Sequence, residues 1–179
     1  MVDPALFSSA TDEWETPDDL FQGLHAVFKF TRDVCATAEN AKRPKYWTKA
    51  DDALSKKWRG VCWCNPPYGE PENACPDMNA PLDQCKKCCQ KRGHHNPKYR
   101  PGIGDWVKKA ATATAGGATV VMLLPARTDT RWFHQWIWCE ALGGPYKGVS
   151  LRFIRGRLRF GGAKNSAPFP SMIVVFRKG

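Results

Sequence analysis

VCWCNPPY, residues 61–68, is the stretch whose reading decides the fold. Val61, Cys62, Trp63 and Cys64 make a short apolar run with strand-forming residues, and the run stops at Asn65-Pro66-Pro67-Tyr68. Two successive prolines cannot continue a sheet interior, because each lacks the amide hydrogen that the ladder needs. The minimal reading is therefore a rigid turn closing a strand. Position adds to it: in open α/β sheets, ligands sit at the carboxyl ends of strands, which is where this tetrad falls.

Outward from the tetrad, strands and helices alternate. Upstream, residues 30–36 (FTRDVCA) read as a strand, and residues 37–60 are polar with a short strand around Tyr46-Trp47. Before them, Thr16 is placed to cap a helix, Pro17 suits its first position, and Asp18 and Asp19 complement its dipole. Leu20, Phe21, Leu24, Val27 and Phe28 recur on one face, so the helix extends to about Phe28. Downstream, the pattern predicts a helix over residues 105–115 with Trp106, Val107 and Ala110 inward, then a buried strand over 118–124. Asp129 is placed to cap a further helix carrying Trp132, Phe133, Trp136 and Ile137, ended by Gly143-Gly144. Residues 149–154, 157–160 and 172–176 read as a β tail. The expected class is α/β, a mainly parallel sheet with a C-terminal antiparallel β tail. Residues 69–101 fit none of this and read as a Cys/His-rich insertion within a single domain spanning 1–179.

A chain of 179 residues, 42% hydrophobic and 25% charged, has an ordinary globular composition and excludes a wholly disordered one. No run approaches the ~18 apolar residues of a membrane span, and no signal peptide is visible. The expectation is a soluble cytoplasmic protein without a membrane partner. The net charge is +10 and uneven. Residues 1–30 hold six acids, whereas no acid follows Glu140, and Lys147, Arg152, Arg155, Arg157, Arg159, Lys164, Arg177 and Lys178 do. Fixed positive charge displaces counterions from phosphates, so a polyanion such as a nucleic acid is the expected partner.

The tetrad has a specific chemical reading. An exocyclic amine on a nucleobase is a poor nucleophile, because its lone pair is delocalised into the ring. Accepting both amine hydrogens favours a pyramidal nitrogen and frees that lone pair. The Asn65 side-chain oxygen and the Pro66 carbonyl supply two such acceptors, the proline pair fixes their geometry, and Tyr68 is placed to stack on a base turned out of its helix.

At this point the sequence resembles the phage-type DNA N-6-adenine methyltransferases, small S-adenosylmethionine-dependent enzymes. The resemblance covers most of the chain outside residues 69–101. It is carried by Glu13-Trp14-Glu15-Thr16-Pro17, Asp33-Val34-Cys35-Ala36 with Asn40, Asp51-Asp52-Ala53-Leu54, the tetrad, Leu124-Pro125-Ala126-Arg127-Thr128-Asp129-Thr130, Gly156-Arg157-Leu158-Arg159-Phe160 and Ala167-Pro168-Phe169-Pro170-Ser171-Met172. It implies a reduced Rossmann-like methyltransferase fold, DNA as partner, and methyl transfer from S-adenosylmethionine to the exocyclic amine of adenine. It further implies that Thr16 and Pro17, with Trp14 nearby, hold the methionine end of the cofactor. Asp33 and Ala36 then line the cofactor pocket, Asp52 (or Asp51) contacts the cofactor's adenine, and Asn65, Pro66, Pro67 and Tyr68 form the target-amine site. The chain departs from the family in one place: Ala36-Thr37-Ala38-Glu39-Asn40 stands where such enzymes often carry a glycine-rich turn. A phage or prophage origin follows from the same resemblance.

Cysteine usage divides in two. Cys35, Cys62, Cys64 and Cys139 sit in apolar contexts, whereas Cys75, Cys85, Cys88 and Cys89 crowd together ahead of His94 and His95. Cys85-x-x-Cys88 has zinc-knuckle spacing, and Cys75 with His94 would complete a tetrahedron, with Cys88 or Cys89 and His94 or His95 left open. Lys86, Lys87, Lys91 and Arg92, interleaved with these ligands, suggest a metal-stabilised finger on DNA. Arg127 and Arg131 follow the strand at 118–124, and Arg155, Arg157 and Arg159 cluster in one turn; they read as phosphate contacts. Two alternatives stay open: cytosine exocyclic-amine methylation, and a non-catalytic zinc-bearing DNA-binding protein with a methyltransferase-like core.

Overall fold

The computed structural model describes residues 14–86, 89, 90, 93–161, 163 and 165–179. Its centre is a five-stranded sheet in the order β1-β2-β3-β7-β6. The strands are β1 (Arg32–Asp33), β2 (Val61–Cys64), β3 (Thr119–Pro125), β6 (Val149–Phe153) and β7 (Ser171–Phe176). β1, β2 and β3 run parallel, and β7 is antiparallel to both β3 and β6. The class is therefore mixed α/β with an antiparallel C-terminal tail, as the sequence predicts. β3 is a continuous apolar run because it is buried on both faces.

Register assigns the faces. Trp63 pairs with Val121, and Val121 with Val175, so these side chains share one face. Helix α1 (Asp18–Phe28) lies on that face, with the Phe21 ring 5.6 Å from Trp63 and 5.4 Å from Phe30. The alternate residues Cys62, Cys64, Val120, Met122 and Val174 point the other way and are fully buried. Helix α2 (Ile103–Ala113) packs on β3 and on helix α3 (Arg131–Trp136), and supplies Ile103, Val107 and Ala110 to the core.

Several expectations need correction. α1 begins after Pro17, so Thr16 does not cap it; the helix ends where Lys29 turns left-handed at φ 54°. Val27, which the spacing places on the inward face, is 73% exposed and borders an open groove with Leu151 and Arg152 of β6. The expected strand over 30–36 keeps only two residues, although Thr31 and Val34 donate to the carbonyls of Val61 and Trp63. Tyr46 forms an isolated parallel bridge with Asp33. α2 starts at Ile103 because Asp105 accepts the Gly102 amide at 2.9 Å.

The helix expected to reach Gly143 stops at Trp136, and it is Thr130, not Asp129, that precedes its first residue. β4 (Trp138–Cys139) then pairs with β5 (Gly144–Pro145) as a hairpin, with Gly143 supplying the positive φ its turn needs. Residues 157–160 are not a strand: the left-handed Gly156, φ 77°, ends the extended run, and the following loop crosses the sheet end.

The carboxyl ends of β1, β2 and β3 are Asp33, Cys64 and Pro125, all at one end of the sheet. Asn65 therefore emerges between the turn after Asp33 and the loop carrying Arg127. The chain leaves at Gly69 and returns where the Ile103 amide donates to the Gly69 carbonyl at 2.9 Å. Among the described residues, no helix is long and apolar enough to cross a membrane.

Candidate active site

Asn65 is half-buried and its carboxamide is held from three sides. Nδ2 donates to the Trp14 carbonyl and, at 3.1 Å, to Thr16 Oγ1. Oδ1 accepts from the Tyr68 hydroxyl at 2.7 Å. The Trp14 carbonyl can only accept, and this fixes the end of the amide beside it as nitrogen. An amide oxygen has two lone pairs, so Oδ1 keeps one for a ligand. Thr16 is 4% exposed, and its hydroxyl serves Asn65 rather than the helix behind it.

Tyr68 is 4% exposed, and its hydroxyl also lies 3.2 Å from the Leu123 carbonyl. Burial pushes this phenol well above the ordinary tyrosine range, so at neutral pH it is a neutral donor. Phe169 and Phe160 cover the ring edge-on, at 5.6 and 6.3 Å. In this arrangement Tyr68 presents no open face to a base; it orients Asn65. Trp14 meets the same two phenylalanines at 5.2 and 5.0 Å, so Trp14, Tyr68, Phe160 and Phe169 form an aromatic wall around the turn. Pro66 is buried and Pro67 half-buried beside it.

Residues 157–161 and 165–170 bring both phenylalanines to this place. The Ala167 amide donates to the Leu158 carbonyl at 2.7 Å, and the Arg157 guanidinium donates to the Pro168 carbonyl. The Gly161 amide donates to the Glu15 carbonyl at 2.9 Å. A Cβ at Gly161 would stand 2.7 Å from the Glu15 carboxylate, so this crossing requires glycine or a shifted Glu15. Sequence reasoning misses both Phe160 and Phe169 as candidate site residues, although both stand in segments that carry the family resemblance; some 150 residues separate them from Trp14.

At the end of β1, Asp33 is 2% exposed, and its two carboxylate oxygens accept the Cys35 and Lys42 amides at 3.2 and 3.1 Å. Desolvation outweighs those bonds and raises its carboxyl to about 6. Asp33 thus shapes the turn over 34–42. Within that turn, Asn40 Oδ1 accepts the Thr37 amide at 2.7 Å, and no residue over 34–42 has the positive φ that would call for glycine. Ala36 lies at its edge, 9% exposed. Lys42, whose side chain is 11% exposed, bridges Glu15 at 3.3 Å and Asp18 at 2.7 Å and so ties this turn to the Trp14–Pro17 segment.

The two neighbouring acids separate cleanly. Asp51 accepts the Thr48 amide and hydroxyl, both at 2.8 Å, and caps a single helical turn. Asp52 is exposed, in a left-handed conformation with φ 50°. Of the basic residues, Arg131, Arg155 and Arg159 are exposed, and Arg127 stands 3.9 Å from Glu70, a weak surface pair. Arg157 is occupied with Pro168 as described.

Over residues 69–101, Cys75 Sγ lies 3.4 Å from Cys85 Sγ and 3.3 Å from Cys89 Sγ. Cys75, Cys85 and His95 present ligand atoms within 4.8 Å of one another. The structure thus brings Cys89 and His95 to Cys75 and Cys85, whereas His94 is exposed and Cys88 lies outside the described residues. Lys87, Lys91 and Arg92 also lie outside them. Lys86 donates to the Asn73 and Ala74 carbonyls, so it braces this segment.

Comparison with known proteins then bears on the whole arrangement. The sequence model of the family described as "DNA N-6-adenine-methyltransferase (Dam)" matches residues 5–178. A protein named "Putative methyltransferase YfdM" from Escherichia coli (strain K12) is 37% identical over 65 residues, which is 32% of this chain and 71% of that protein. A DNA N-6-adenine-methyltransferase of Haemophilus phage HP1 is 38% identical over 66 residues, 35% of this chain and 38% of that protein. One of Escherichia phage T1 is 26% identical over 141 residues, 73% of this chain and 45% of that protein. The matched segments span less than half the length of either phage protein.

Proposed function

Because the chain belongs to the DNA N-6-adenine-methyltransferase (Dam) family, we propose that it methylates the N6 amine of adenine in DNA at Asn65-Pro66-Pro67-Tyr68, with S-adenosylmethionine as donor. The orientation of the Asn65 carboxamide at the carboxyl end of β2 carries this reading. In this view the sheet is a reduced Rossmann-like methyltransferase core, one domain interrupted over residues 69–101.

The residues present suit the cofactor. Half-buried Trp14 and Phe169 offer aromatic faces to a cation such as a sulfonium. Thr16, Pro17 and the Asp33-shaped turn with Ala36 enclose the methionine end, and the exposed Asp52 carboxylate accepts from the adenine or ribose end. When bound, S-adenosylmethionine supplies an electrophilic methyl group.

The chain's own part is to prepare the nucleophile. The adenine must leave the stack to reach Asn65. Asn65 Oδ1 and the Pro66 carbonyl accept its two amine hydrogens and draw the nitrogen toward a pyramidal geometry. Tyr68, Thr16 and the Trp14 carbonyl hold Asn65 so that nothing reorganises as the lone pair is freed; one such preorganised group is worth about 10²–10³ in rate. Arg127, Arg131, Arg155 and Arg159 carry the phosphate contacts that bring DNA to this end of the sheet.

Incubation with methyl-labelled S-adenosylmethionine and unmethylated duplex DNA, followed by digestion to nucleosides, tests the assignment. Label in N6-methyladenine is expected. Label in N4-methylcytosine would move the target amine, and no label at all would favour a non-catalytic DNA-binding protein.

A further inference from the structure

The insertion lacks what a folded segment of its length ordinarily needs. Among its described residues over 69–101, only Cys75, Cys89 and Asn96 are buried. No large apolar side chain is among them, and segments of this size hold a defined shape only with a covalent or metal staple. The described cysteines form no disulfide; the three sulfurs here approach to 3.3–3.4 Å, against about 2.05 Å for a bond. One disulfide among three thiols would also leave a third thiol beside it.

A second, independent observation lies on His95. Its Nε2 stands 2.8 Å from the Ala80 carbonyl, which accepts only if that nitrogen carries the proton. Nδ1 is then a bare lone pair, and it is buried with no hydrogen-bond partner. Ligating histidines show this pattern, one ring N–H donated to a backbone carbonyl and the other nitrogen aimed at the ion. The Asn96 amide donates to Cys75 Sγ at 3.1 Å, the kind of bond that supports a thiolate ligand.

We propose that Cys75, Cys85, Cys89 and His95 bind one structural zinc ion, which fastens the insertion at the exit of the Asn65–Tyr68 turn. Three thiolates and an imidazole form a closed tetrahedral set for this soft-to-borderline cation. Zn–S bonds of about 2.3 Å place tetrahedral sulfurs about 3.8 Å apart, so the sulfurs need only open by roughly 0.4 Å to admit the ion. The ligands close a loop whose stem is already paired: the Glu72 and Arg100 backbones exchange two hydrogen bonds of 2.9 and 2.8 Å, and the Gly69 carbonyl accepts the Ile103 amide. That stem begins one residue after Tyr68, so the ion holds the strand exit from outside the target-amine site. The site includes Cys89 and His95, not the Cys85-x-x-Cys88 knuckle that spacing suggests.

Elemental analysis of the full chain, purified without chelators from zinc-replete culture, should find about one equivalent of zinc. Cys89→Ser and His95→Asn should each lower this to below about a tenth, while Cys88→Ser and His94→Asn keep it. Should the ligand variants fail to fold, cobalt substitution of the wild-type chain gives an independent reading through the absorption bands of tetrahedral thiolate coordination. Less than about a tenth of an equivalent in the wild type, a Cys88→Ser loss as complete as that of Cys89→Ser, or a cobalt spectrum without thiolate bands would each overturn the site. None of these readouts depends on methylation, so failure here leaves the proposed reaction untouched.

Discussion

The Tyr68 hydroxyl lies 2.7 Å from Asn65 Oδ1, so the last residue of the Asn65–Tyr68 turn sets the orientation of the first. Tyr68→Phe keeps the buried ring and deletes only this bond and the longer one to Leu123. The stability loss should be about 1 kcal/mol, a melting shift of roughly 2–4 °C. The kcat should fall at least about tenfold, with little change in the KM of either substrate, because roughly 1.4 kcal/mol of lost orientation is a factor of ten. Steady-state methylation read beside a thermal melt checks both. An unchanged kcat would return Tyr68 to a purely packing role.

Asp33 gives the protein an unusual pH signature. Its folded carboxyl sits at about 6, above the ordinary 3.8. Between those values the native state binds more protons than the unfolded one, so this group's contribution falls as pH rises through the window. The loss amounts to about 3 kcal/mol and is complete above about pH 6. Urea unfolding of wild type and Asp33→Asn across this range isolates the effect, because other carboxylates cancel in the difference. The wild type should gain stability relative to the variant as pH drops from about 6.5 to 4. Parallel pH profiles would show that Asp33 is not the desolvated group.

Asp51 and Asp52 are adjacent in sequence and separate in role. Asp51→Ala removes the cap on Thr48 and should lower the melting temperature while cofactor affinity stays as it was. Asp52→Ala should weaken S-adenosylmethionine binding about tenfold, the value of one hydrogen bond to a charged group, with little effect on folding. Isothermal titration with the cofactor separates the two; equal affinities would remove Asp52 from the pocket.

Arg155 and Arg159 are exposed, whereas Arg157 holds the Pro168 carbonyl. Neutralising Arg155 and Arg159 together should reduce the slope of log K against log salt for duplex DNA by about 1.8, at roughly 0.9 per phosphate contact. Arg157→Ala should lower the melting temperature as well, because it frees the loop that carries Phe169. Fluorescence anisotropy over a salt series reads the slope. An unaltered slope in the double variant would place DNA elsewhere.

The apolar run of β3 and the acidic start of α1 are legible in the amino-acid sequence because they are local signals, and local signals specify local elements. The stop at Asn65-Pro66 likewise marks the proposed site, because proline geometry depends on no distant partner. What the sequence hides is long-range. The aromatic wall joins Trp14 to Phe160 and Phe169, and no spacing rule connects positions so far apart. Thr16 reads as a cap from its neighbours alone, yet its hydroxyl faces Asn65, 49 positions away. Residues 157–160 carry a strand pattern, but Gly156 and the Arg157–Pro168 bond turn them into a loop. Over residues 69–101, the two-residue spacing favours Cys88, whereas helical backbone at residues 89 and 90 brings Cys89 inward.

The central claim is that the Asn65 carboxamide acts on the amine rather than on binding. Single-turnover methylation by Asn65→Ala, with saturating cofactor and DNA and with both affinities measured on the same preparation, tests it most directly. A rate lowered by about 10²–10³ or more with both ligands still bound is the predicted result. A rate within a few-fold of wild type would contradict it.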